Sequence, residues 1–175
     1  MTLDWTLQNA VQNEIETLRS ADRVPVGENR ASAELLENYH NRATAREFVF
    51  ESDEPASMTG GENRGPRPLE YFLAGFALCQ QTIYAKNALA TGIELTDLRI
   101  EVDGDVDPRG VMGVGDVDAG FVGDEIDYTT RIETPATREE IRELVGLAES
   151  RCPAHAALRK PMSFGREIVV NGDPL

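Results

Sequence analysis

The chain has 175 residues, 41% of them hydrophobic, and a net charge of −14 at pH 7. That is enough apolar material for one domain with a core, and the charge argues against a surface of clustered Lys and Arg for nucleic acid or anionic lipid. No apolar run approaches the roughly 20 residues that span a bilayer, and the opening residues lack a basic stretch followed by an apolar one, so the expectation is a cytoplasmic protein.

Residues 1–20 carry Leu3, Leu7, Ala10, Val11, Ile15 and Leu18 at helical spacing. An amphipathic helix is expected there, packed on the body or on a second subunit. "SADRVPVGENRASAE" reads as a connector rich in turn residues. Residues 1–40 are thus assigned to a helical extension and connector, and 41–175 to the domain proper. "ATAREFVFES" alternates like one strand, with Phe48 and Phe50 on one face and Val49 on the other. The loop "DEPASMTGGENRGPRP" follows, long enough to expect a function or a packing partner.

Pro68 suits the first turn of a helix that nothing breaks before Thr91, and Gly92 stands where a left-handed C-terminal residue belongs. Leu69, Phe72, Leu73, Phe76, Cys79, Gln80 and Ile83 form a mostly apolar stripe, and much of the far side is small or apolar too. Such a helix is expected to be central and covered on most faces. "LRIEV" alternates as a strand, "RGVMGVGDVDAGFVGD" reads as a glycine-rich loop or wide hairpin, and "EIDYTTRIET" is a further strand. Thr137 and Glu140 form a capping box opening a helix with Ile141, Leu144, Val145 and Ala148 on one face. Cys152 and Pro153 then start a short helix, and "MSFGREIVVNG" ends the chain as a strand. The order strand, long helix, two strands, helix, strand indicates an α+β domain with antiparallel pairing.

The basic residues are almost all arginine, with Lys86 and Lys160 the only lysines. Abundant Asp and Glu with little Lys fits a protein kept soluble at high salt, where screening relieves self-repulsion.

Two cysteines do not make a disulfide framework. Cys79 alone is read as a small buried hydrophobe. Cys152, just before a proline-initiated helix, faces a positive helix end that would lower its pKa. If the two thiols meet, one can attack an electrophile and the other resolve the product as a disulfide. Cys152 and His155, with His40 and Cys79, hold only one close-spaced pair, so no zinc site is expected. The "DGDVDP" run misses a calcium loop's glycine and glutamate, and Gly110, Gly113 and Gly115 do not match a dinucleotide fingerprint. No metal or organic cofactor is expected.

"DEPASMTGGENRGPRPLEYFLAGFALC", "VDGDVDPRGVMG" and "GFVGDEIDYTTRIETPATREEIRELVGLAESRCP" resemble, in order, the segments of the OsmC/Ohr family, named for osmotic induction and organic hydroperoxide resistance. The resemblance runs from about residue 46 to the end. It implies two long helices packed against antiparallel sheets in an intertwined homodimer. It also implies thiol-dependent reduction of organic hydroperoxides, with an external dithiol as reductant. By resemblance the catalytic residues are Cys79 as peroxidatic thiol, Cys152 as resolving thiol, and Glu70. Peroxide-reducing members place the glutamate directly after the proline, whereas here Leu69 intervenes, as in a broader OsmC-like branch. Nine residues at about 100° each put Glu70 about half a turn from Cys79. The family's partner arginine has four candidates, Arg42, Arg46, Arg64 and Arg67. The alternative to a peroxidase is a module that binds a small ligand or partner at the dimer cleft.

Overall fold

A computed structural model of the chain describes residues 3–24, 26–160 and 162–175. Helix α1 (Gln8–Ser20) follows one 3-10 turn and precedes strands β1 (Ser32–Glu37), β2 (His40–Ala45) and β3 (Phe48–Ser52). Helix α2 (Pro68–Thr91), strand β4 (Asp97–Asp103), helix α3 (Pro108–Met112) and strand β5 (Asp127–Glu133) come next. Helices α4 (Arg138–Arg151) and α5 (Pro153–Arg159) and the two-residue strands β6 (Val169–Val170) and β7 (Asp173–Pro174) complete the chain. Met1 and Thr2, which the expected first helix includes, and Pro25 of the expected connector lie outside the described residues.

The long helix forms where its end signals put it. Pro68 occupies the first turn, where its missing N–H leaves nothing unpaired. At the other end Gly92 adopts φ 78 and donates its N–H to Ala88 O at 2.8 Å, a conformation open to glycine at little cost. The Gln12 side chain of α1 adds a second donor to this end, on Ala90 O.

α2 packs against both β4 and α4. β4 and β5 pair antiparallel from Asp97↔Glu133 to Asp103↔Asp127. β4 turns Leu98 and Ile100 inward and Arg99 and Glu101 outward, the period of two expected of a half-buried strand. α4 begins at a complete capping box, with Thr137 N–H on Glu140 Oε2 at 2.8 Å. It delivers Leu144 and Ala148, both fully buried, to a core shared with Tyr84, Ala88, Ile93, Leu95, Leu98 and Ile100. Burying a leucine this way stabilises the fold by roughly 1.5–3 kcal/mol.

Four expectations need correction. "ATAREFVFES" is a hairpin, not one strand: Ala45 pairs with Phe48 around a two-residue turn at Arg46–Glu47. Arg46 takes φ 56 and its guanidinium sits 4.9 Å from the Phe48 ring centre. Arg-Glu is not a turn dipeptide, so the sequence carries no turn signal there. Residues 32–37, expected to be connector and otherwise unassigned, form β1 and pair with β2 across residue 40. The C-terminal stretch pairs over only two residues per strand. And α2 is not covered on most faces within one chain, since Leu69, Phe72 and Leu78 are exposed. The sheet β1–β2–β3 is likewise open, with every residue of β1 exposed.

Candidate active site

Cys152 stands at a forced corner. It closes α4 by donating its N–H to Ala148 O at 3.0 Å, and it is the first residue outside α5. Its backbone is extended (φ −79, ψ 117), because the residue before a proline is pushed out of the helical region. The corner turns the Cys152 side chain onto α2. There its Sγ lies 3.4 Å from Cys79 Sγ, donating a hydrogen bond to it. A disulfide requires about 2.05 Å, so closure needs the sulfurs to move together by only about 1.3 Å. The two thiols differ in access: Cys152 is fully buried and Cys79 half-buried.

The expectation of a lowered Cys152 pKa is overturned. Burial pushes the Cys152 thiol up, against the N–H of His155, and the bond to Cys79 and the charge Cys79 would carry raise it further; the N–H of Ala154 opposes. The helix end does supply donors, but α5 has 7 residues and its field does not outweigh the loss of water around a buried sulfur. Cys152 therefore remains a protonated thiol at neutral pH.

Three aromatic rings pack beside the pair. Phe76, Tyr128 and His155 meet edge to face with centroids 5.4–6.3 Å apart. Tyr128 Oη donates to Glu149 Oε1 at 2.9 Å, and His155 Nδ1 meets Glu149 O at 2.9 Å. Burial, with the Glu149 bond second, pushes the Tyr128 phenol up to about 12. Next to Cys79 in sequence, Gln80 is fully buried, and neither its Nε2 nor its Oε1 has a hydrogen-bond partner among the described residues. One residue before Cys152, Arg151 donates from Nη1 to Asn87 Oδ1 on α2.

Glu70 is not brought to the thiols within this chain. Its carboxylate accepts the Arg67 N–H at 2.8 Å and completes a capping box at the start of α2. Its helix position explains this, since it faces across α2 from Cys79. On that far side Glu70, Leu73, Ala74, Ala77 and Val102 line a shallow groove of about 440 Å³. The sulfur pair lies on the other face of α2. The four candidate arginines are engaged elsewhere. Arg42 pairs with Glu34 and Glu51, Arg64 with Glu37 and Glu62, Arg67 with Glu54, and Arg46 stacks on Phe48.

The long loop before α2 is organised by a residue the sequence reading passed over. Asp53 is 1% exposed and its carboxylate accepts N–H groups of Glu54 (2.8 Å), Glu62 (3.0 Å) and Arg64 (3.2 Å). Burial pushes its pKa up, but the three N–H bonds outweigh that and hold it below the ordinary value. A Cβ on Gly61 would fall 2.5 Å from Glu54 O, so only glycine lets the loop fold back this tightly. His40, considered for a metal, instead meets Glu51 Oε2 at 3.1 Å and Arg64 at 2.9 Å. Among the described residues no group of three or more metal-ligating side chains converges.

The model of the OsmC-like protein family matches residues 60–165. The chain belongs to the OsmC-like family. A relative named hydroperoxide reductase, from Mycoplasma genitalium, is 30% identical over 109 residues, 62% of this chain and 73% of that protein. The solved OsmC-like protein of Mycoplasma pneumoniae superposes with TM-score 0.65 at 26% identity, covering 77% of this chain and 89% of the other. An organic hydroperoxide resistance protein of Legionella pneumophila shares the fold at TM-score 0.56 and 19% identity, covering 78% and 92%. The OsmC-like fold, with helices against antiparallel sheets, is thus established by sequence and structure together. The family match starts at residue 60, inside the loop that Asp53 organises. No described helix is long and apolar enough to cross a membrane.

Proposed function

We propose that this protein is a thiol-dependent peroxidase that reduces organic hydroperoxides through a two-cysteine cycle. The observation that carries the reading is the 3.4 Å approach of Cys79 and Cys152. Difference in access assigns the roles. Half-buried Cys79 is the thiol a peroxide can reach, and sealed Cys152 is not. The Cys79 thiolate attacks the outer peroxide oxygen, the O–O bond breaks, and the alkoxide leaves as an alcohol after taking a proton. Cys79 becomes a sulfenic acid. The Cys152 sulfur then bonds to the Cys79 sulfur and water departs, carrying the hydroxyl and the thiol proton. An external dithiol reduces the disulfide and is itself oxidised. The names of the Mycoplasma genitalium relative and the Legionella pneumophila protein support the substrate class.

A homodimer belongs to this reading. Exposed Leu69, Phe72 and Leu78 on α2 and the open β1–β2–β3 sheet are the surfaces a second copy would cover. Light scattering tests this: a monomer at micromolar concentration removes it. The helical extension stays part of the proposal, and the pairing of β1 with β2 moves its boundary with the domain from residue 40 to about residue 31. Glu70 keeps a catalytic place only if its carboxylate reaches a thiol of the second copy.

Turnover with an organic hydroperoxide and a dithiol tests the activity. C79S should abolish it. C152S should give one turnover and a trapped sulfenic acid. Peroxide consumption no faster than by a free thiol would remove the reading. The groove across α2 from the thiols favours a second reading, a module that binds an apolar ligand there without peroxidase activity.

A further inference from the structure

We propose that Arg151 and Asn87 form a clasp that holds Cys152 at Cys79, and that both are positioning residues for disulfide formation. The inference deepens the two-thiol reading above and rests on it for its role in turnover.

Asn87 is 4% exposed on the face of α2 that meets α4. Its Nδ2 donates to Ile83 O at 2.8 Å, which fixes the amide and aims Oδ1 away from its own helix. A buried acceptor is costly unless paired. The Arg151 guanidinium pairs it, reaching in from the surface. Arg151 is the last residue of α4 and the direct neighbour of Cys152.

The corner between α4 and α5, two helices that both pack on α2, also makes two polar side-chain contacts with it. One is the sulfur pair, and the other is the clasp, eight residues further along α2, about 12 Å along its axis. The clasp restrains the corner beyond that packing and keeps the Cys152 sulfur near Cys79, which raises the effective concentration of one thiol at the other. The clasp is charge-assisted, which makes it strong enough to matter on its own.

The test is equilibration with glutathione, in which the protein dithiol and glutathione disulfide exchange to protein disulfide and two glutathione thiols. This readout does not require the protein to reduce peroxides. N87A, which leaves the Arg151 charge beside Cys152, should lower the equilibrium constant for disulfide formation about tenfold, making the pair about 30 mV easier to reduce. R151M should do the same, and the double variant should fall no further, because the two side chains act as one unit. N87D keeps an acceptor for Arg151 but loses the bond to Ile83 O, so its constant should fall between those of N87A and the wild type. With hydroperoxide, N87A and R151M should show a longer-lived sulfenic acid that dimedone captures.

A purely structural role would weaken both redox forms alike, lowering both melting temperatures and leaving the equilibrium constant unmoved. A constant unchanged in N87A, or falls that add independently, overturns the clasp and leaves the peroxidase reading standing. A wild-type disulfide that forms with glutathione but not with hydroperoxide does the reverse. A wild-type protein that forms no disulfide in either arm overturns both. Arg151 is exposed, so R151M keeps the test available if N87A does not fold.

Discussion

Replacing Gln80 by leucine should make the protein more stable. Gln80 is fully buried, and both polar atoms of its amide lack partners among the described residues. A buried group left unpaired costs about 1–3 kcal/mol. Leucine removes both groups at similar volume, and its branched shape costs about 1 kcal/mol in misfit. The net gain should be about 2 kcal/mol, or about 4–8 °C in Tm for a chain of this size. Calorimetry at one fixed protein concentration reads it, since any assembly makes Tm concentration-dependent. Q80A is the control. It removes the same polar atoms but leaves a cavity, so its gain should be absent or reversed. A lower Tm in Q80L would refute the reasoning, because it would show that the amide is paired.

Three further outcomes follow from the geometry. Asp53 is held below its ordinary pKa, so its contribution is fully present above the ordinary carboxylate range and is lost as pH falls through the lowered value. D53N should therefore flatten the acid limb of a Tm–pH curve, and an unchanged limb would count against the role given to Asp53. E70A removes the bond between the Glu70 carboxylate and the Arg67 N–H and should cost about 1 kcal/mol in urea melts. It should leave disulfide formation within one chain unchanged; loss of the disulfide would reinstate Glu70 at the site. Raising salt from low to molar should raise Tm, because a net charge of −14 repels itself and the screening length shrinks to about 3 Å at 1 M. No gain would argue against a high-salt design.

The sequence made α2 legible to the residue because its ends carry backbone chemistry: Pro68 begins it and Gly92 ends it with φ 78. The capping box placed α4, and alternation placed β4 and β5. Both cysteines were recognisable from Cys-Pro and the apolar helix, yet their meeting was not. It depends on the turn at Cys152 and on α4 packing along α2, which are tertiary facts. The β2–β3 turn was hidden because Arg46 adopts a left-handed conformation without glycine or asparagine, supported by its own contact with Phe48. The raised pKa of Cys152 is not legible in the sequence, because a helix end is visible there and burial is not. Asn87 and Gln80 carried a faint signal, as polar residues in a helix otherwise apolar on that face.

The most direct test of the central claim is peptide mapping by mass spectrometry after one equivalent of an organic hydroperoxide. The two-thiol site predicts a single intramolecular disulfide between the peptides holding Cys79 and Cys152, absent in C79S. Two unmodified thiols after the peroxide has had time to react would contradict it.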